Sequence, residues 1–343
     1  MVRRCLLALT AAALATVALV VGCKRAAPTA TPTPVSSTVP AKPDVSNQHY
    51  YLIGVSVNSA YWKDADDGLK DRAEQLGVKA EMVGPPGPDA KEQADTLAEI
   101  VSKKPAGVLI APAEPDALKS GIDAAVDAGV PVITVDTDSP NSKRYFYMGT
   151  PNYESGVAVG ELLAQAMGDK GKAGISWLAS GQWNIKERRR GVLDALKKHG
   201  VSVAAEVNDE AKADVSVRVN SEMINAHPEI TGIAGLDGES GSGIARAVIE
   251  AGKKGKIKIV AFDRNEDMLD YIKDGTIDAA VAQRTYLMSW LGVDLLYALH
   301  NDEIKHLPDW RAAKTPPLPR EVDTGWMTIT QDNVDQFYHE KRT

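Results

Sequence analysis

The sequence predicts an α/β protein made of two doubly wound lobes, each built around a parallel sheet. Two observations lead to this class. From Tyr51 onward, short runs that are apolar throughout alternate with amphipathic helical stretches, the pattern of parallel strands buried on both faces. The succession is also written twice. Gly54 in its strand recurs as Gly174, an offset of 120. The helix-ending Gly77 recurs as Gly200 (123), Gly107 as Gly232 (125), and the strand-ending Asp136 as Asp263 (127). Any one match is weak, but four in order with slowly growing offsets indicate a repeated plan.

In order, strands are expected at 52–57, 79–83, 107–111 and 131–135 in the first half. The second half offers 174–178, 201–207, 232–235, 257–262 and 279–282. Each is a short β-branched or aliphatic run bounded by Gly, Pro, Asn or Asp. Helices are expected at 64–76, 91–103, 116–128, 156–167, 186–199 and 242–251, where apolar residues recur at helical spacing.

The beginning of the chain reads as an address. Arg3 and Arg4 precede the apolar run 6–21, and Gly22-Cys23 follows, the layout of a secretory signal. Val20-Val21-Gly22-Cys23 resembles a bacterial lipobox, which makes residues 1–22 a signal peptide and Cys23 the lipidated first residue. The competing reading is an uncleaved membrane anchor. Either places the folded part outside the cytoplasmic membrane, in the periplasm or on the outer cell surface. Residues 23–49 carry Pro28, Pro32, Pro34, Pro40 and Pro43 among Thr, Ala and Ser, a composition that stays extended and acts as a spacer.

Composition narrows the function. Of 343 residues, 44% are hydrophobic and 25% charged, as in an ordinary globular protein. The 46 acidic residues against 39 basic give a net charge of −7, which argues against a nucleic-acid partner. Cys5 and Cys23 are the two cysteines, and the six histidines lie apart, so neither a disulfide framework nor a metal site is expected. Gly238, Gly241 and Gly243 match neither the Rossmann nor the Walker spacing. No cofactor is implied.

In open α/β sheets, ligands bind beyond the carboxyl ends of the strands. There the first half places Asn58, Tyr61, Trp62, Asp136 and Asp138. The second half places Trp183, Asp237, Asp263 and Gln283. Carboxylates and amides suit hydroxyl groups, and flat aromatic rings suit stacking, so the inventory points to a sugar.

At these residues the sequence resembles the periplasmic sugar-binding proteins of the ribose-binding type, the type I solute receptors of ABC importers. VSVNSAYWKD resembles the family's first strand and aromatic opening, and GVPVITVDTD its strand ending in a sugar-binding Asp. NIKERRRGV resembles the Arg-x-x-Gly segment that carries Arg188 into the pocket. GLDGESGSG, KIVAFDRNED and AAVAQRTY supply Asp237, Asp263 and Gln283. Thr137-Asp138 stands where the ribose pattern has Arg after Asp, and VNDEAKAD lacks the family aromatic, leaving Trp183 to stack. TDSPNSKR and the C-terminal VDTGWMTITQDNVDQFY look closer to the rhamnose- and autoinducer-binding branch.

The resemblance implies a monomeric receptor with a three-strand hinge. Passages between lobes are then expected near 149–152, near 283–286 and around 314–323. The first lobe would comprise 50–151 and 285–318, and the second 152–284 and 319–343. It also implies delivery of a monosaccharide to a membrane permease, with no enzymatic activity. A sensor reporting to a membrane kinase or chemoreceptor is one alternative. A glycoside hydrolase using paired carboxylates is another, disfavoured because one carboxyl would have to be held protonated in an apolar setting.

Overall fold

The computed structural model describes residues 44–59, 61–179, 182–304 and 318–338. The expected signal peptide, Cys23 and most of the spacer lie outside them, as do residues 314–317 of the expected third passage.

The first sheet starts with β1 (His49–Ile53), β2 (Lys79–Val83), β3 (Gly107–Ile110), β4 (Val132–Val135) and β5 (Tyr147–Gly149). Between them run α1 (Tyr61–Leu76), α2 (Ala90–Ser102) and α3 (Pro115–Asp127). The second sheet follows with β6 (Lys172–Trp177), β7 (Ser202–Asn208), β8 (Ile230–Gly235), β9 (Lys258–Phe262) and β10 (Ala279–Gln283). Its helices are α4 (Asn152–Met167), α5 (Trp183–Lys198), α6 (Ala213–Ala226), α7 (Ser240–Glu250) and α8 (Glu266–Lys273). The chain then returns to the first sheet with α9 (Thr285–His300) and β11 (Glu321–Asp323), and crosses once more to β12 (Trp326–Ile329).

Strand order is the same in both sheets. The first reads β2-β1-β3-β4-β5-β11 and the second β7-β6-β8-β9-β10-β12, the doubly wound order with helices on both faces. All pairs of the first sheet are parallel, whereas β12 lies antiparallel to β10. The second sheet is therefore mixed at one edge, because the chain reaches it by a short link instead of a helical crossover.

Strands β3 and β4 are buried at every position, which explains their uninterrupted apolar runs. α9 covers the first sheet and packs on α1. The approach is so close that a Cβ on Gly68 would run into the Tyr286 carbonyl. α9 is apolar on nearly every face, with Met288, Val293, Leu296 and Leu299 all buried, so its periodicity is faint in the sequence.

The three passages between sheets lie at 149–152, 283–285 and 323–326. The third is later than the expected 314–323, because Glu321–Asp323 still pair with Tyr147–Gly149. The start of the first lobe also shifts. Residues 44–49, expected in the spacer, are folded: Gln48 is buried and donates to Asn301 at 2.7 Å, and His49 opens β1.

Candidate functional site

A cavity of about 370 Å³ lies between the lobes, beyond the carboxyl ends of the strands. From the first lobe, Tyr61 and Trp62 at the start of α1 and Asp136 after β4 reach it. From the second come Arg188, Asp237, Asp263 and Gln283. Seven of the sequence-indicated residues are thus brought to one place.

Four of them form one chain of hydrogen bonds across the two lobes. The Tyr61 hydroxyl donates to Asp136 Oδ1 at 2.6 Å. Gln283 Nε2 donates to the Tyr61 hydroxyl at 3.0 Å and to Asp263 Oδ1 at 3.1 Å. Burial raises the Asp136 carboxyl above its usual range, opposed by the Arg188 guanidinium. Burial likewise pushes Asp263 up to about 6, against the pull of Arg188. Trp62 is buried, meets Tyr61 edge to face at 5.3 Å, and floors the cavity while belonging to the first-lobe core.

Arg188 is the largest fully buried side chain among the described residues. Its guanidinium lies 4.2 Å over the Phe262 ring, a cation–π contact. Nε donates to Asn152 Oδ1 at 2.9 Å and Nη1 to the Leu236 carbonyl at 3.3 Å. Nη2 is buried with no partner, and so is Gln283 Oε1. A buried donor and a buried acceptor left unsatisfied cost free energy unless a ligand completes them. A hydroxyl, which donates and accepts, can serve both.

Asp237 accepts the backbone N–H groups of Leu178, Glu239 and Ser240 at 3.0–3.1 Å, fixing the start of α7. Asp209 stands behind it, fully buried, accepting from the hydroxyls of Ser176 (2.7 Å) and Ser240 (2.6 Å). Burial, and then the charge of Asp209, holds the Asp237 carboxyl far above the usual carboxylate range.

Three sequence-indicated residues lie elsewhere. Asn58 is exposed in the turn that the Ser59 N–H closes on the Ser56 carbonyl, so its side chain faces solvent while Ser56 and Ser59 line the cavity. Asp138 is buried but taken: it accepts Nε and Nη2 of Arg144 at 2.5 and 2.6 Å and the Thr134 hydroxyl at 2.6 Å. Trp183 opens α5 on the opposite side. Helical periodicity turns Trp183, Glu187 and Arg190 toward a separate hinge-side cavity of about 550 Å³, and Asn184, Ile185 and Arg188 toward the cleft. The Trp183 ring rests edge to face on Tyr147 at 5.9 Å.

The sequence did not single out Asn184, although it precedes Arg188 by four residues and so shares its helix face. Glu210 and Lys212, in the loop where the family aromatic is missing, also line the cavity. Among the described residues no group of three His, Cys, Asp or Glu is placed to hold a metal ion.

Comparison with known proteins gives the family. The family described as periplasmic binding protein domain matches residues 50–303. The ribose import binding protein RbsB of Bacillus subtilis is 24% identical over 288 residues, covering 83% of this chain and 91% of its own. The arabinose-binding protein AraP of Geobacillus stearothermophilus superposes with a TM-score of 0.75 at 33% identity, over 85% of this chain and 99% of that one. A sugar-binding protein of a sugar ABC transporter from Bacillus halodurans gives 0.79 at 30%, over 85% and 100%. These relatives are binding proteins and not enzymes. With the doubly wound lobes, the three passages and the cleft between the lobes, they show that the chain belongs to the periplasmic binding protein family, as a type I solute-binding protein of the ribose-binding type.

Proposed function

We propose that the protein is a lipid-anchored receptor that captures a monosaccharide between its lobes and hands it to an ABC permease. The observation that carries this reading is that the unpartnered Arg188 Nη2 and Gln283 Oε1 and the carboxyls of Asp136 and Asp263 belong to residues lining one cavity contributed by both lobes. A polyol fits such a lining, because every hydroxyl finds a donor or an acceptor. The names of the relatives, ribose- and arabinose-binding, support a pentose or a related sugar.

Family membership goes with an extracytoplasmic location. The lipid anchor rests on Val20-Val21-Gly22-Cys23 and the proline-rich stretch behind it. Docking on the permease, as a closed monomer, belongs to the same proposal, and the hinge supports the closed form: a ligand touching both lobes favours the form in which both can touch it.

A thermal-shift screen of the folded portion against ribose, arabinose, xylose, allose, glucose and galactose tests the assignment. The cognate sugar raises Tm with its concentration, as expected when only the folded state binds. A panel without any shift would remove the sugar assignment. Cys23→Ser should move the protein from the membrane fraction to the soluble one with sugar binding unchanged. A variant that stays with the membrane would identify the apolar segment as an uncleaved anchor.

A further inference from the structure

We propose that Asn152 is a positioning residue that orients Arg188 from the hinge, and that it sets sugar affinity without touching the sugar. The inference rests on the reading of the cleft as the sugar site. Asn152 is buried, begins α4 at the first passage between the lobes, and lines the hinge-side cavity instead of the cleft.

Its amide is fully specified by its neighbours. Nδ2 donates to the Thr150 carbonyl at 2.9 Å and to the Tyr147 hydroxyl at 3.2 Å. Both amide hydrogens therefore have acceptors, and Oδ1 must face Arg188 Nε, which it meets at 2.9 Å. The Tyr147 hydroxyl in turn donates to the Asp136 carbonyl at 2.8 Å. The side chain thus links the guanidinium of the second lobe to the backbone of the acid in the first, through the segment that bends when the lobes move. α4 and α5 can approach this closely because Gly156 and Gly191 leave room: a Cβ on Gly156 would strike the Arg188 carbonyl, and one on Gly191 the Tyr153 carbonyl.

The consequence is directional. Nε is held by Asn152 and Nη1 by Leu236, so Nη2 is the guanidinium nitrogen left for the ligand. Without Asn152 the planar group can rotate about its stem, and that nitrogen is no longer held in place.

The test is a double-mutant cycle on sugar affinity by titration calorimetry, with circular dichroism to verify folding. Asn152→Ala should weaken binding about tenfold or more, and should add almost nothing in an Arg188→Met background, because a residue acting through a partner loses its effect once the partner is gone. Arg188→Lys replaces Arg188→Met if the latter does not fold. Wild-type affinity in Asn152→Ala, or additive losses in the double variant, would overturn the proposal. A sugar-free measurement separates it from the fate of the sugar reading: modification of Arg188 by phenylglyoxal, followed by peptide mass spectrometry in the full chain. Arg188 should be protected in the wild type and react at least about tenfold faster in Asn152→Ala. Equal rates would overturn the positioning role even if no sugar binds the wild type.

Discussion

Asp136 and Asp263 are the same residue of the plan, built once in each lobe. Each directly follows a buried parallel strand, and each takes a left-handed backbone, φ 62° and 65°. The Asp136 N–H donates to the Met148 carbonyl at 3.0 Å and the Asp263 N–H to the Val281 carbonyl at 2.8 Å, in both cases a carbonyl of the next strand. A non-glycine residue held there pays about 1–2 kcal/mol in backbone strain. In return its carboxylate is turned off the strand line and into the cleft, where ligand contact can use it.

Asp136→Ala and Asp263→Ala are each expected to weaken sugar binding about ten- to hundredfold by calorimetry, the loss of a charge-assisted hydrogen bond. Replacing Asp136 by Gly should give a protein about 1 kcal/mol more stable than replacing it by Ala, since only the Cβ suffers at positive φ. Equal melting of the two would show that the backbone is not constrained there.

Intrinsic fluorescence should report ligand binding through Trp62 and not through Trp183. Trp62→Leu is expected to abolish most of the signal and to weaken binding, since its ring floors the cleft. Trp183→Leu should leave affinity unchanged, as its ring rests on Tyr147 across the hinge. The reverse pattern would place the stacking ring on α5.

Stability should carry a pH signature of Asp263. Its folded carboxyl is raised from 3.8 to about 6, so the native state holds this proton more tightly than the unfolded chain. That contribution is complete below about pH 4 and is lost as pH rises through about 6. In urea titrations, the advantage of the wild type over Asp263→Asn should shrink across this window and stay level above it. A constant difference would mean that Asp263 titrates normally.

Arg264 Nη2 meets Asp64 at 2.6 Å, joining the segment after β9 to α1 of the other lobe. Both side chains are about one-fifth exposed, so the pair contributes about 0.5–1 kcal/mol to closure. Arg264→Ala should speed sugar release about two- to fivefold in stopped-flow measurements. In 1 M salt the difference should shrink only in part, because a contact pair about four-fifths buried is screened less than an exposed one.

The Asp138–Arg144 pair is expected to be structural. Arg144→Ala leaves a buried carboxylate without its guanidinium and should cost about 3–5 kcal/mol of stability. Sugar affinity of the folded fraction should not change, and a loss of affinity would return Asp138 to the site.

The strand ends and the repeat were legible because both depend on local patterns: apolar runs, closing Gly residues, and Asp at matched places. Asp136, Asp237 and Asp263 could be found in this way. Asp138 could not be told from Asp136, since two acids in one loop look alike until Arg144, six residues on, closes on one of them. Trp183 was misplaced for a related reason. One step of 100° along α5 separates the cleft face from the hinge face, and the first turn of a helix has no preceding residues to fix that phase. Tyr147–Gly149 escaped because three residues carry no period. β11 is equally short, and its sheet is decided by Tyr147–Gly149, more than 170 residues away in sequence.

The route of the chain also dictates an order of assembly. α9 and β11 complete the first lobe, yet both follow the second lobe in sequence. As the polypeptide emerges on the far side of the membrane, β1 to β5 appear early but lack the helix that covers one face and the strand that ends the sheet. The second lobe needs only residues 152–283 to gather its parallel strands, with β12 added later as an edge. Domains whose parts are contiguous fold as units once their chain is available, so here the vectorial order is inverted: the N-terminal lobe is completed last, and its sheet stays uncovered until residue 323 has emerged.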